Sequence, residues 1–203
     1  MISVLAIVVF AAAFGLLFGV RSIQQTRRTG DVGWRFPSPG ADRTQWIARL
    51  FMGFGGLTGG IAAPAAALMG MPSVTFMDHT WLRITGLVLA AVAAAAAFAA
   101  QQSMGASWRI GVDDTEHTAL VTTGQFAYVR NPIFTAMFAL MTNLALATPN
   151  IVAYIGLASV IAGIELQVRK VEEPHLLNTH PDTYRDYAQQ AGRFLPGIGR
   201  LSR

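Results

Sequence analysis

The amino-acid sequence predicts an all-α protein, a polytopic membrane helical bundle of about five transmembrane segments. Three observations carry that expectation. Of the 203 residues 53% are hydrophobic and only 13% are charged, against about a quarter charged in a soluble domain. The charges are gathered into a few stretches that leave long runs without any. The mean hydropathy is +0.43. A chain whose solvent is mostly lipid must satisfy its backbone polar groups internally, so the apolar runs are expected to be helices.

The first apolar run is Ile2–Val20. No basic residue precedes it, and Arg21, Arg27 and Arg28 follow it. That is the reverse of the charge order in a signal peptide, so the run is expected to be a retained span. The second run, Ile47–Met69, carries Gly55/Gly59 and Gly56/Gly60 at a spacing of four, which lets helices approach closely. Gly53-Phe54-Gly55-Gly56 within it has neither a preceding strand nor the third glycine of a dinucleotide loop. The third run, Leu82–Ala100, contains the alanine-rich stretch Ala90–Ala100, expected to be a packing surface. The fourth, Pro132–Ala147, places Pro132 in a first turn, where a missing N–H costs little. Only Thr148-Pro149-Asn150 separates it from the fifth, Ile151–Leu166, which predicts a tight helical hairpin. Both are shorter than the ~20 residues of a full crossing, so they are expected to tilt or to stop short. The chain is read as one integral membrane domain, with three spans in 1–104 and two in 105–203.

All but Arg83 of the 15 Lys and Arg residues fall on one side of this arrangement. The positive-inside rule then predicts an outside N-terminus and a cytosolic C-terminus, with the functional face toward the cytosol. The net charge of +4 and the pI near 10.1 could suggest nucleic acid. The basic residues flank apolar segments, however, where they set topology and meet anionic lipid, so no nucleic-acid partner is expected. There is no cysteine, which excludes disulfides, thiolate nucleophiles and cysteine metal sites. His175 and His180 lack partner ligands at metal spacing, so no metal is expected either. Trp108 is expected at the membrane interface.

Polar residues concentrate in two stretches on the expected cytosolic side. One runs over 105–112 and then 120–134, where Thr123-Gly124 between β-favouring runs predicts a small hairpin or turn. The other begins inside the fifth span. Glu165 and Arg169 are four apart, and Arg169 is three and four residues from Glu172 and Glu173, so a regular helix would set these charges facing one another. A carboxylate entering the membrane is costly unless paired, which makes Glu165 either a functional group or half of a structural pair with Arg169. Arg130 could equally anchor a helix at the interface, and Tyr184 and Tyr187 could pack a short amphipathic helix on the membrane face.

In order along the chain stand Arg130-Asn131-Pro132-Ile133-Phe134, Glu172-Glu173-Pro174-His175-Leu176, Tyr184-x-x-Tyr187 and Arg193-Phe194-Leu195-Pro196. Together they resemble the isoprenylcysteine carboxyl methyltransferase and phospholipid N-methyltransferase superfamily, over roughly the C-terminal half from Gly105 onward. Phe134 departs from the tyrosine usual at its position, and Ala136 from a common glycine. The resemblance implies an integral membrane enzyme that binds S-adenosylmethionine on the cytosolic side. Its acceptor would be a lipophilic or amphiphilic small molecule, a carboxylate or an amine, taken from the membrane, with membrane lipid as a further partner. Together with the facing charges the resemblance nominates Arg130, Asn131, Glu165 and Arg169 as catalytic residues. For the cofactor it nominates Tyr128, Asn131, Pro132, Phe134, Glu172, Glu173, Leu176, Tyr184 and Tyr187.

These residue types suit that cofactor. Its carboxylate fits the fork of Arg130 or Arg169, its ammonium fits Glu172 or Glu173, and its sulfonium fits an aromatic face at Tyr128, Phe134, Tyr184 or Tyr187. Asn131 can both donate and accept. Two rival classes are a sterol-type reductase using NADPH, for which no adenosine 2′-phosphate site is recognisable, and a non-catalytic membrane scaffold.

Overall fold

The computed structural model describes residues 1–35, 43–110 and 120–202. Among them run helices α1 (Ile2–Thr29), α2 (Arg43–Leu68), α3 (Thr80–Ser103), α4 (Pro132–Ala147), α5 (Ile151–Thr179) and α6 (Pro181–Gln190). Four of them, α1, α2, α3 and α5, are long and apolar enough to cross a membrane, whereas α4 is a shorter apolar helix. The five expected spans are thus four full-length helices and one short one. At 1.5 Å per residue α4 extends roughly 24 Å, below the ~30 Å of a hydrocarbon core. The first and fifth helices also outrun their apolar segments, continuing to Thr29 and Thr179.

Small residues decide which helices meet. On α2, a Cβ at Gly55 would lie 2.6 Å from the Gly156 carbonyl of α5, and one at Gly156 would collide with the Gly59 amide. The backbones of α2 and α5 are therefore in contact, as small-residue spacing allows. The second glycine row serves a different neighbour, since a Cβ at Gly60 would strike the Phe10 ring of α1. On α3, a Cβ at Gly86 would lie 2.7 Å from the Asn143 carbonyl of α4, and Ala90, Ala93 and Ala94 join Leu140, Met141 and Leu144 in the main core. Outward-facing Val8, Leu50, Phe54, Val88 and Val92 are exposed, the pattern of a surface in contact with lipid.

The α4–α5 turn forms as expected. Asn150 caps α5 by accepting from the Ala153 amide at 3.0 Å and donates to the Ala63 carbonyl of α2 at 2.8 Å. Arg83 donates to the Ala147 carbonyl at 3.1 Å and to Asp78 at 3.1 Å, while the Val74 amide donates to Pro149 at 2.7 Å. The one segregated arginine thus stands at the same end as this turn.

At the opposite end two sequence expectations change. Trp108 is buried rather than interfacial: the Arg21 guanidinium lies 4.7 Å from its ring centroid, and Gly33 approaches closely enough that a Cβ there would sit 3.0 Å away. Around Thr123-Gly124 the chain makes the turn but no hairpin. Gly124–Ala127 is a single 3₁₀ turn, opened by Gly124 at φ +62°. Gly111 and Val112 from the first polar stretch lie outside the described residues, as does Arg203.

Candidate active site

The C-terminal tail folds back onto the start of α4. The Arg130 amide donates to Gly192 at 2.8 Å, the Gly192 amide to Tyr128 at 3.2 Å, and the Asn131 amide to Arg193 at 3.2 Å. Gly192 is demanded here, because a Cβ would collide with the Leu195 carbonyl. Asn131 Nδ2 adds a 3.1 Å bond to the Arg193 carbonyl, and Thr135 Oγ1 lies 2.8 Å from that of Phe194.

This fold-back encloses a buried ion network. Glu173, 8% exposed, receives Arg130 Nη2 at 2.7 Å and Arg193 Nε at 2.7 Å on one oxygen. Its other oxygen receives Arg193 Nη2 at 2.9 Å. Arg130, 6% exposed, also donates through Nη1 to the carbonyls of Ala188 and Ala191 at 3.1 and 2.7 Å, and through Nη2 to Gly199 at 3.1 Å. Two guanidiniums against one carboxylate leave an excess positive charge. The carbonyls of Ala188 and Ala191 at the C-terminal end of α6 offset it, since that end of a helix is partially negative. Buried Tyr184 stacks edge-on to Tyr187 at 6.1 Å, and Tyr187 donates to the Phe126 carbonyl at 2.6 Å. Burial, then the nearby Glu173 charge, pushes the Tyr184 phenol up to about 12. Burial and Tyr184 also push Tyr187 up. Both rings stay neutral over the ordinary pH range.

Beside the network lies an apolar cleft of about 510 Å³ between α3 and α4. Gln125, Tyr128 and Pro196 stand at its polar end; Leu89 and Asn143 stand at the other. Tyr128 is 70% exposed, so its ring is available to a ligand. The walls are small, with Ala93, Ala96, Ala136 and Ala139. This lining gives Ala136, where glycine is common in the resembled family, a direct place in the cleft.

Among the residues nominated from sequence, Arg130 and Glu173 come together, and Asn131 orients the Arg193 segment. Tyr128 and Pro132 line the cleft. Phe134 packs instead against the main core. Glu172 accepts from Gln167 Nε2 at 3.2 Å. Leu176 is half-buried, its carbonyl accepting the His180 amide. Of the row of facing charges expected over 165–173, only the Glu165–Arg169 pair forms. Arg169 pairs with Glu165 on a partly exposed face, and neither bonds to Glu173. The cause is a π-helical turn at Val168–Glu172, which rotates the residues beyond it by about one position and breaks the three-four spacing. Arg193 is the central residue that sequence reasoning left out of the site. Its signal was present, since Arg193 begins one of the four motifs. Among the described residues no three His, Cys, Asp or Glu side chains gather as a metal site.

A family model described as phospholipid methyltransferase matches residues 81–183, from the start of α3 into α6. Among solved structures, the eukaryotic intramembrane Ras methyltransferase ICMT (isoprenylcysteine carboxyl methyltransferase), in a form without a monobody, superposes with a TM-score of 0.58. The match covers 95% of this chain and 67% of that one at 20% identity, a likeness of fold. No curated protein matches the chain by sequence.

Proposed function

The chain belongs to the phospholipid methyltransferase family, and from that premise we propose that it methylates a lipophilic or amphiphilic acceptor, a carboxylate or an amine, using S-adenosylmethionine. The observation that carries the acceptor half of this reading is the apolar cleft ending at Tyr128 and Gln125, next to the buried ion network. A hydrocarbon chain lying along α3 and α4 would present its polar head at that end.

The cofactor half rests on one donor that the fold leaves unmet, one carboxylate with a single side-chain donor and one exposed ring. Arg130 Nε is buried without a hydrogen-bond partner and suits a carboxylate. The Glu172 carboxylate has Gln167 as its hydrogen-bond donor and suits an ammonium. Tyr128 offers an exposed aromatic face for a sulfonium. These residues fit the group. Glu173 and Arg193, spent on one another, are positioning residues that hold Arg130 and the fold-back. When bound, the cofactor supplies an electrophilic methyl whose C–S bond electrons leave with sulfur as the acceptor lone pair forms the new bond. The chain's own contribution is alignment: the cleft, with Pro132, Phe194, Leu195 and Pro196 at its head end, fixes the acceptor's line of approach. In the cell this face is read as cytosolic.

Calorimetry on detergent-purified protein tests the reading directly. S-adenosylmethionine and its demethylated product should each bind saturably, with affinity reduced about tenfold in Tyr128→Ala. Tritiated methyl should pass to phosphatidylethanolamine or to an S-farnesyl cysteine. A helical, monodisperse protein that binds neither compound would end the proposal.

A further inference from the structure

Asn143 is a polar side chain on an otherwise apolar helix, one turn before the Ala147 end of α4, and it lines the acceptor cleft. Its amide nitrogen turns back to the Ala139 carbonyl at 2.7 Å. Its oxygen accepts no hydrogen bond from any described residue, and the side chain is partly exposed. An amide acceptor left open on an otherwise apolar helix face is a hydrogen-bonding group available to a ligand. Every other side chain toward this end of the cleft, Leu89, Val92 and Ala139, is apolar.

Gly86 of α3 rests on Asn143 and Ala147, while Ala97 packs with Ala136, so α3 and α4 run antiparallel and the cleft follows α4 from Pro132 to Asn143. Eleven helical rises make this roughly 16 Å. An extended hydrocarbon chain advances about 1.3 Å per carbon, given C–C bonds near 1.5 Å, so the span accepts about a dozen carbons.

We propose that Asn143 is a specificity-determining residue that selects an acceptor with a hydrogen-bond donor, a hydroxyl, about a dozen carbons from the methylated head. The inference rests on reading the cleft as the acceptor's. The Asn143 oxygen takes the hydroxyl proton, and the length between Pro132 and Asn143 sets where along the chain that hydroxyl must lie.

The test compares two matched pairs of probes on detergent-purified protein by calorimetry: dodecylamine with 12-aminododecan-1-ol, and dodecanoic acid with 12-hydroxydodecanoic acid. Wild type should bind the hydroxylated member of at least one pair about tenfold more tightly, the worth of one hydrogen bond in an apolar site. Asn143→Leu should erase that preference while binding the plain chain at least as well. Leu89→Trp, which fills the same end of the cleft from α3, should shift the best chain to fewer carbons and guards against a misfolded Asn143 variant. Equal binding of both members to wild type, or a hydroxyl preference that survives in Asn143→Leu, overturns the role of Asn143 alone. Failure of all four probes to bind wild type, with S-adenosylmethionine still binding, overturns the acceptor cleft itself.

Discussion

The most consequential side chain is Glu173, because two guanidiniums depend on it. Removing one partner of a buried ion pair leaves an uncompensated charge, at a cost of about 3–5 kcal/mol. Glu173→Ala should therefore lower the thermal midpoint of the detergent-solubilised protein by many degrees. Arg169→Ala, which breaks only a partly exposed pair with Glu165, should change stability by less than about 1 kcal/mol. Equal effects of the two would mean that the Glu173 network carries no special weight. The buried phenols give a pH prediction. A tyrosine whose pKa rises on folding favours the folded state fully below its unfolded value near 10 and loses that contribution as pH climbs toward 12. The C-terminal fold-back should loosen between those values, and Tyr184→Phe should remove one of the two late-ionising phenols from the tyrosinate absorbance at 295 nm. Arg130, Glu173 and the tyrosines were legible from the motifs. The partner of Glu173 was not legible from helix periodicity, because counting residues along 165–173 assumes a regular turn and this helix inserts a wide one.

Between helices, glycines with identical chemistry have opposite jobs. Gly156 touches the α2 backbone, whereas nothing lies within 4 Å of a Cβ at Gly53. Gly156→Ala should force α2 and α5 apart and destabilise by about 1–3 kcal/mol. Gly53→Ala, in a helix interior with open space, should be neutral or stabilise by up to about 1 kcal/mol. Thermal unfolding of both variants in one detergent decides the matter, and a matching sign would contradict the packing described. The rows Gly55/Gly59 and Gly56/Gly60 advertised close approach in the sequence, but not their neighbours. The shortness of α4 and the Thr148-Pro149-Asn150 turn could be read directly, since apolar length and a Pro-Asn break are local properties. The burial of Trp108 could not. It depends on Arg21 and Gly33 arriving from α1 and the segment after it, a contact between segments far apart in the chain.

At the scale of the molecule, the distribution of charge and the position of the site make one joint prediction. Arg83, Asp78 and the 148–150 turn share one end of the bundle, whereas the Arg130–Glu173–Arg193 network and the polar end of the cleft occupy the other. All remaining Lys and Arg residues fall on the network's side in the sequence, so the positive-inside rule predicts that side to be cytosolic. On the proposed reading, a water-soluble cofactor made in the cytosol would meet the network directly, and a membrane acceptor would reach the cleft sideways from the bilayer. Because the chain has no cysteine, single cysteines report topology without background. Ser202→Cys should react with a membrane-impermeant maleimide only after the cells are opened, and Ser73→Cys should react in intact cells. The reverse pattern would put the network on the side away from the cofactor supply. The charge argument and the methyl-transfer reading would then fall together, because each places the same end of the bundle in the cytosol for an independent reason.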